Sequence, residues 1–243
     1  MITQFFTIVF YQPLYNGLIF LFDLLPWAGA GLVVILFTII VKLVLFPLAM
    51  RATYAQMEMK EIEKDLRVIK EKYKEDKEQQ TLKTVELYKE KNINPFAGFF
   101  VLIIQLPIII ALYRVFLKSG LPQVDMTQLY HFVSAPAHIA MNFLFISDIA
   151  QKSVFLALLA GISTFFQIKY ATPADLEGKG ADKNSTAEMM KSFQTQMKYF
   201  FPVLVFFISW SISAAISLYW VTSNVFTVLQ ELYFRKRVRG GTK

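Results

Sequence analysis

Long apolar stretches separated by charged segments dominate the pattern along the chain. A helix that crosses about 30 Å of hydrocarbon needs about 20 apolar residues. Three stretches meet this requirement as single helices, namely residues 27–50, 96–117 and 153–171. A fourth, residues 199–234, would measure about 54 Å as one helix, nearly twice the thickness of the hydrocarbon. The pattern therefore predicts an all-α membrane protein.

Small and polar residues between positions 211 and 217 indicate where the fourth stretch divides. The division gives two short spans, 199–213 and 214–234, and a core of five transmembrane helices. The other segments are an N-terminal segment, three loops and a tail: 1–26, 51–95, 118–152, 172–198 and 235–243.

The N-terminal segment, residues 1–26, is apolar apart from two prolines and a few polar side chains. The polar ones recur at spacings of four and seven, which places them on one helical face: Gln12, Asn16 and Asp23. An apolar helix with a polar stripe is typical of a helix that lies in the membrane interface. We therefore expect an interfacial amphipathic helix here, and a sixth span is the alternative that the pattern leaves open.

Basic residues are distributed unevenly between the two sets of loops. The loops at 51–95 and 172–198 and the tail at 235–243 carry eleven, four and five of the 25 Lys and Arg residues. The segments 1–26 and 118–152 together carry two. Because Lys and Arg concentrate on the cytoplasmic side of membrane proteins, we expect the N-terminus outside and the C-terminus in the cytoplasm.

The loop at 51–95 contains a heptad pattern of apolar residues. They follow spacings of four and three: Ala55, Met59, Ile62, Leu66, Ile69 and Tyr73. A polar stretch and a shorter amphipathic segment come next, which together predict a cytoplasmic antiparallel helical hairpin. The stripe either packs within the hairpin or serves as a docking face for partners, through Met59, Ile62, Leu66 and Ile69.

Polar side chains also fall inside the predicted spans, mainly in the halves nearest the cytoplasm. Lys42 is the most costly, since an ionisable residue in a span raises the insertion free energy by about 2.5–3.5 kcal/mol. The others are Gln105, Gln167, Ser209, Ser223 and Asn224. They predict a wet cavity that is open to the cytoplasm and to lipid. Each Ser, Asn or Gln alone is also compatible with a simple hydrogen bond between helices.

The composition offers little material for catalysis. The chain is 55% hydrophobic and 18% charged, has no Cys, and has two histidines, His131 and His138, both in the loop at 118–152. A Ser–Lys pair between Lys42 and either Ser209 or Ser223 is the one nucleophilic arrangement that remains formally open. We therefore expect no enzyme activity, no metal and no small-molecule cofactor. We also expect no DNA partner, because the basic blocks flank apolar segments.

Taken in order, several motifs make the chain resemble the YidC-type membrane protein insertases, a group with mitochondrial and chloroplast relatives. The motifs are FYQPLYNGLIFLF (10–22), TIIVKLVLFPL (38–48), NINPFAGFFVLIIQLPIIIALY (92–113), STFFQIKYATP (163–173), MKYFFPVLVFF (197–207) and LYWVTSNVFTVLQELY (218–233). They span nearly the whole chain, and as an ordered set they are specific although each motif alone is weak.

The resemblance implies a five-helix core with a positively charged groove, open to the cytosol and lipid and sealed outside. Nascent membrane proteins would slide through it without ATP, and the location would be the bacterial plasma membrane. It assigns the groove charge to Lys42, its polar partner to Gln167, and substrate contact to Tyr219 and Trp220. Partners would be nascent membrane proteins and the lipid bilayer, with the ribosome and the Sec translocon as further candidates.

The chain departs from the family pattern in three ways. Lys42 stands where the family usually has Arg, and the charge of a lysine is less permanent. The break around 211–215 lacks the usual Pro-Ser-Gly-like residues, and a large outer domain is missing, which indicates a minimal form. A folding or assembly scaffold without insertion activity is the main alternative, and a small-molecule transporter is another.

Overall fold

The computed structural model of the chain describes residues 2–91, 107–118, 121–171 and 186–240. These residues form helices and no strand, apart from an isolated bridge between Phe143 and Ile146. The prediction of an all-α protein is confirmed for this part of the chain. The helices belong to two compact units, Met1–Leu43 with Pro107–Lys243, and Val44–Leu106.

The described helices follow one another with short breaks. In chain order they are α1 (residues 2–24), α2 (Ala30–Val44), α3 (Phe46–Glu61), α4 (Glu63–Lys72), α5 (Lys77–Glu90), α6 (Pro107–Phe116), α7 (Val154–Ala171), α8 (Thr186–Ser211) and α9 (Ala214–Gly240). Helix α1 consists of Ile2–Phe6 and Gln12–Leu24 joined by a π-helical turn at Thr7–Tyr11.

The core of the first unit lies where α7 packs against α8 and α9. Ala160 of α7, Val205 of α8, and Ile216 and Trp220 of α9 form one buried apolar cluster. Gly161 allows the close approach, since a Cβ there would lie 3.1 Å from the carbonyl oxygen of Pro202. Small residues have this role between helices in membranes, where backbones must come close to gain dispersion contacts.

Helix α1 turns one face toward the rest of the first unit. Tyr15, Leu18 and Ile19 are fully buried, whereas Phe5 and Ile8 are more than half exposed. Asn16, the central residue of the polar stripe, is 2% exposed and bonds to the loop that follows α6. Of the three stripe residues, Asn16 is therefore buried, Gln12 is half-buried and Asp23 is exposed, and the interfacial position of the helix stays a prediction.

The second unit contains two helices that pack on each other. Ile62 and Leu66, at the start of α4, contact Leu87 of α5, and Ile69 and Tyr88 pack against this cluster. The side chain of Asp76 accepts a hydrogen bond of 3.0 Å from the Gln79 amide and so caps the start of α5. The turn between α4 and α5 is thus short and capped, as two neighbouring helices require.

Several helix boundaries differ from the predicted ones. The predicted span 27–50 is interrupted at Leu45, because Pro47 has no amide hydrogen for a continuous helix. The predicted 55–73 helix is divided at Ile62, whose φ and ψ of −85° and 0° produce a local kink. The helix predicted to break between 211 and 217 ends at Ser211, and the next one begins at Ala214.

The lengths of the apolar helices also differ from the expectation. Among the described residues, one helix is long and apolar enough to cross a membrane by length and composition, Gln4–Leu24. Four shorter apolar helices accompany it: Ala30–Val44, Pro107–Phe116, Val154–Tyr170 and Lys198–Ser211. Helix α8 begins at Thr186, before the predicted span at 199–213, and α9 continues to Gly240, past the predicted end at 234.

Candidate functional site

Lys42 lies in the last turn of α2 and reaches across to α9. Its Nζ donates a hydrogen bond of 3.1 Å to Oγ1 of Thr227, and that hydroxyl donates one of 2.8 Å to the carbonyl oxygen of Ser223. Lys42 and Thr227 are both half-buried. A threonine hydroxyl is a neutral acceptor, so this bond orients the ammonium group without neutralising its charge.

Asn224 joins α9 to α7 through its side-chain amide. Its Nδ2 donates to Oγ of Ser163 at 3.0 Å and to Oγ1 of Thr164 at 2.8 Å. Both hydroxyls donate in turn to the carbonyl oxygen of Ala160. Asn224 is 6% exposed and Thr164 is 1% exposed, so these bonds satisfy polar groups that are removed from solvent.

The two sets of bonds lie on adjacent turns of α9. Asn224 and Thr227 are three residues apart, which puts them on one face and about 4.5 Å apart along the axis. Gln167 lies three residues beyond Thr164 on α7 and is half-buried. We call this group the polar centre: Lys42, Ser163, Thr164, Gln167, Ser223, Asn224 and Thr227.

Ser209 was expected in the same cavity, but the structure places it elsewhere. The Ser217 hydroxyl donates a hydrogen bond of 3.3 Å to the carbonyl oxygen of Ser209, near the junction of α8 and α9. Ser217 lies seven residues before Asn224 on α9, about 10 Å along the helix. The prediction that Ser209 shares one site with Asn224 is therefore not supported by the geometry.

The two aromatic residues predicted to contact substrate lie in the interior of the helix bundle. Tyr219 is 1% exposed and Trp220 is 8% exposed. Trp220 packs in the cluster with Ala160, Val205 and Ile216. In this conformation neither ring forms part of an open surface.

The remaining predicted site residues fall outside the polar centre. Gln105 lies outside the described residues. Met59 is on the described backbone of α3, but its side chain is outside the description. Ile62 and Leu66 are 3% and 8% exposed within the hairpin cluster, and Ile69 packs against it. Ile62, Leu66 and Ile69 thus pack within the hairpin, and the docking of a partner on the stripe stays a prediction.

Sequence reasoning missed the residues that complete the polar centre. Thr227, Ser163 and Thr164 were not singled out because an isolated hydroxyl in a helix carries little signal. Their spacing from the predicted site residues is a signal that could have identified two of them. Thr227 follows Asn224 by three residues, and Thr164 precedes Gln167 by three. Within the described residues, no group of His, Cys, Asp and Glu could hold a metal ion.

Comparison with known proteins gives the class of this fold. A family model described as 60Kd inner membrane protein matches residues 23–241. The chain is 30% identical over 207 residues to membrane protein insertase YidC of Fusobacterium nucleatum, covering 85% of this chain and 86% of the relative. It is 30% identical over 211 residues to YidC of Clostridium tetani, covering 87% and 84%.

A solved structure agrees with the sequence relatives. The chain matches an active YidC insertase crystal structure with the first transmembrane domain resolved, at a TM-score of 0.59 and 26% identity. The match covers 92% of this chain and 46% of that one. The family model and the structural match therefore assign the described helical fold to the class of inner-membrane proteins. The chain belongs to the 60Kd inner membrane protein family, that of the YidC insertases.

Proposed function

We propose that the protein is a membrane protein insertase of the bacterial inner membrane. The observation that carries this proposal is the Lys42 ammonium group, held by the neutral hydroxyl of Thr227 among apolar helices. A cation placed there at a cost must interact with water or with an anionic partner. A hydrophilic tail with acidic residues is a partner of this kind, and relatives across most of this chain are named insertases.

The proposed topology has five spans, the N-terminus outside and the C-terminus in the cytoplasm. The basic residues of 51–95, 172–198 and 235–243 support it through the positive-inside rule. The spans would be those predicted from hydropathy, and their described parts are α2, α6, α7, α8 and α9. The loop at 118–152 then lies on the outer side.

The contacts of α1 favour an interfacial helix over a sixth span. Near its start, the Phe6 ring lies 4.8 Å from the Arg114 guanidinium carbon, close to the outer end of α6. About 15 Å further along the helix, Asn16 bonds to Gln128 and Tyr130 of the outer loop. Two outer segments therefore contact α1 far apart along its axis, which supports a helix that lies along the membrane surface.

The mechanism that we propose has three steps and no bond chemistry. The cytoplasmic hairpin first receives a nascent membrane protein, with the ribosome or the Sec translocon as candidate partners. The polar centre then lowers the cost of moving a short hydrophilic tail into the membrane, and Lys42 attracts its negative charge. Transfer of the apolar segment to lipid, worth about 25 cal/mol per Å², drives the process without ATP.

Tyr219 and Trp220 can contact a substrate in this mechanism only after the helices around them move apart. Because both rings are buried, a passing segment reaches them only where the packing of α7 and α8 on α9 loosens. The proposal is that these rings contact the apolar segment on its way to lipid. Photo-crosslinking from position 219 or 220 to a stalled substrate tests this step, and an absence of adducts would remove it from the mechanism.

The function is tested with purified protein in liposomes and no other protein. The substrate is a single-span protein with a short acidic N-terminal tail, and the readout is protection of that tail from added protease. Protection well above empty liposomes, without ATP, is expected. If the folded protein gives no more protection than empty liposomes, the chain is instead an assembly scaffold or requires a partner.

A further inference from the structure

The loop after α6 contains a tight two-residue turn shortly before α7. We refer to residues 121–152 as the long loop and to residues 143–146 as the apolar turn. The amides of Phe143 and Ile146 each donate a hydrogen bond of 2.8 Å to the carbonyl oxygen of the other. Leu144 and Phe145 form the tip, where they are 78% and 72% exposed. The turn therefore presents two large apolar side chains away from the protein.

The backbone at the tip is unfavourable for the residue that it carries. Leu144 has a φ of 50°, in the left-handed region. In that region a Cβ comes too close to the following carbonyl oxygen. Two-residue turns therefore usually have glycine or asparagine at such a position. Leucine is a poor choice for the turn itself, which indicates that its apolar side chain serves a contact outside the turn.

The base of the apolar turn is fixed on the first unit. The amide of Gly31, at the start of α2, donates to the carbonyl oxygen of Asn142 at 3.3 Å, and the amide of Ile149 donates to that of Met141 at 2.7 Å. A Cβ on Gly31 would overlap the side chain of Phe143, so this ring packs directly on the backbone of α2. The base thus fixes the direction in which the tip points.

The tip continues an exposed apolar face of α7. The Phe145 ring meets the Phe155 ring edge-on, with 5.3 Å between the centroids. More exposed apolar residues follow along α7 at spacings of four, namely Val154, Leu158, Ile162 and Phe166. Residues at this spacing lie along one side of a helix. On a protein of the inner-membrane class, such an exposed apolar face is a surface for contact with lipid, and the apolar turn extends it.

Neighbouring side chains mark the level of the lipid headgroups at this end of α7. Trp210, in the last turn of α8, is 44% exposed, and Lys152, two residues before α7, is also exposed. The amide of Ala214 donates to the carbonyl oxygen of Gln151 at 2.7 Å, which brings these two helix ends together. Tryptophan is enriched at the membrane interface, and lysines at helix ends reach the headgroups. Phe155 is the second residue of α7, so its contact with the tip puts the apolar turn at this level.

We propose that the apolar turn is an outer-leaflet anchor, whose tip residues Leu144 and Phe145 insert among the lipids beside α7. The proposal rests on the topology proposed above, because that topology puts the long loop on the outer side. The turn carries no charge, and transfer of two large apolar side chains from water to lipid is favourable. The anchor holds the long loop at a fixed depth in the interface.

Fluorescence quenching by lipids tests the anchor and needs no insertion activity. The chain has no cysteine, so Ser147→Cys carries one fluorophore next to the intact turn of the full-length protein in liposomes. The quencher is a phospholipid with a nitroxide close to its headgroup. Leu158→Cys on the exposed face of α7 is the lipid-facing control, and Ser134→Cys, exposed on the long loop, is the aqueous control. We expect the lipid to quench the label at 147 much more strongly than the label at 134.

The two controls separate failure of the anchor from failure of the topology. Suppose that the lipid quenches the label at 158 but quenches the label at 147 no more than the label at 134. The anchor is then overturned, and a protein partner or a second copy of the chain is left as the occupant of the turn. If the lipid quenches none of the three labels, the proposed topology has failed and the anchor fails with it.

A variant with the same turn but no apolar tip shows whether the two side chains cause the insertion. Leu144→Gly with Phe145→Asn supplies residues that favour a two-residue turn and removes both apolar side chains. We expect lipid quenching of the label at 147 to fall to the level of the label at 134. Quenching of the label at 158 should stay unchanged, which shows that α7 keeps its place in the bilayer. Unchanged quenching at 147 in this variant overturns the anchor, because Leu144 and Phe145 then do not hold the turn in lipid.

Discussion

At the scale of single residues, the polar centre depends on hydroxyl groups that pair with one amide and one ammonium. Thr227 differs from the hydroxyls of Ser163 and Thr164 because its partner on the neighbouring helix is an ionisable amine, that of Lys42, and not an amide. Removing the Thr227 hydroxyl keeps the Lys42 side chain but removes the bond that fixes the position of its Nζ. Lys42 and Asn224 could be identified from the sequence by their polarity alone. The sequence does not show how the helices align, so it could not predict that each of them bonds to a threonine.

The substitution Thr227→Val tests whether that hydroxyl positions the ammonium group. We expect insertion of acidic-tailed substrates to fall, but by less than about fivefold, because Lys42 keeps its charge and loses a bond of about 0.6 kcal/mol. Thr222→Val is the matched control, since the Thr222 hydroxyl bonds only within its own helix, to Leu218 at 2.8 Å. Equal effects of the two variants would show that Thr227 has no special role.

Asn16 gives a second test at this scale. The substitution Asn16→Ala removes both bonds to the long loop and should lower the free energy of unfolding by about 1–3 kcal/mol. Asn16→Asp keeps the acceptor for Tyr130 but buries a carboxylate against the carbonyl oxygens of Gln12 and Gln128, so a loss at least as large is expected. Thermal unfolding in nanodiscs measures both, and Asp23→Asn, at an exposed position of α1, is the control.

At the scale of elements, the sequence predicted helices better than it predicted their ends or their orientation. The apolar pattern indicated α7 almost to the residue but ran through Leu45, where Pro47 ends the helix. The stripe with Asn16 predicted an interfacial helix but not that Asn16 bonds to a loop, because a polar face directed at a loop and one directed at solvent have the same pattern. Hydropathy shows where along the chain an apolar helix lies. Which side of that helix faces the protein depends on contacts that are distant in sequence.

The hairpin is held by a small apolar cluster, which makes its stability sensitive to single truncations. Leu66→Ala removes a side chain that is 8% exposed and should speed hydrogen exchange throughout α4 and α5 of the full-length protein. The matched control is Leu82→Ala on α5, where the side chain is 51% exposed. Similar exchange in the two variants would contradict the packing described for α4 and α5.

The hairpin should also respond to alkaline pH through Tyr88. Burial raises the pKa of the Tyr88 phenol above its usual value of 10.0. The folded hairpin therefore favours the neutral phenol, and its stability is complete below pH 10 and declines as the pH rises above that value. Hydrogen exchange in α5 should accelerate above pH 10 in the unmodified protein and less so in Tyr88→Phe; identical profiles would remove Tyr88 as the cause.

At the scale of the whole molecule, the distribution of charge and the polar centre support the same function. The chain has a net charge of +7, and its basic residues lie mainly in the segments assigned to the cytoplasm. Lys42 is set apart from these segments and lies among apolar helices. The family membership makes insertion the natural function for such an arrangement, and the position of one charge makes that function testable.

The most direct measurement compares the unmodified protein, Lys42→Ala and Lys42→Arg in liposome insertion. The substrates are matched single-span proteins with an acidic tail and with a neutral tail. We expect Lys42→Ala to lower insertion of the acidic-tailed substrate by about fivefold, as the loss of about 1 kcal/mol of attraction implies. Lys42→Arg should insert as well as the unmodified protein, and the neutral-tailed substrate should respond less. Equal insertion by all three proteins with the acidic tail would contradict the central role of Lys42.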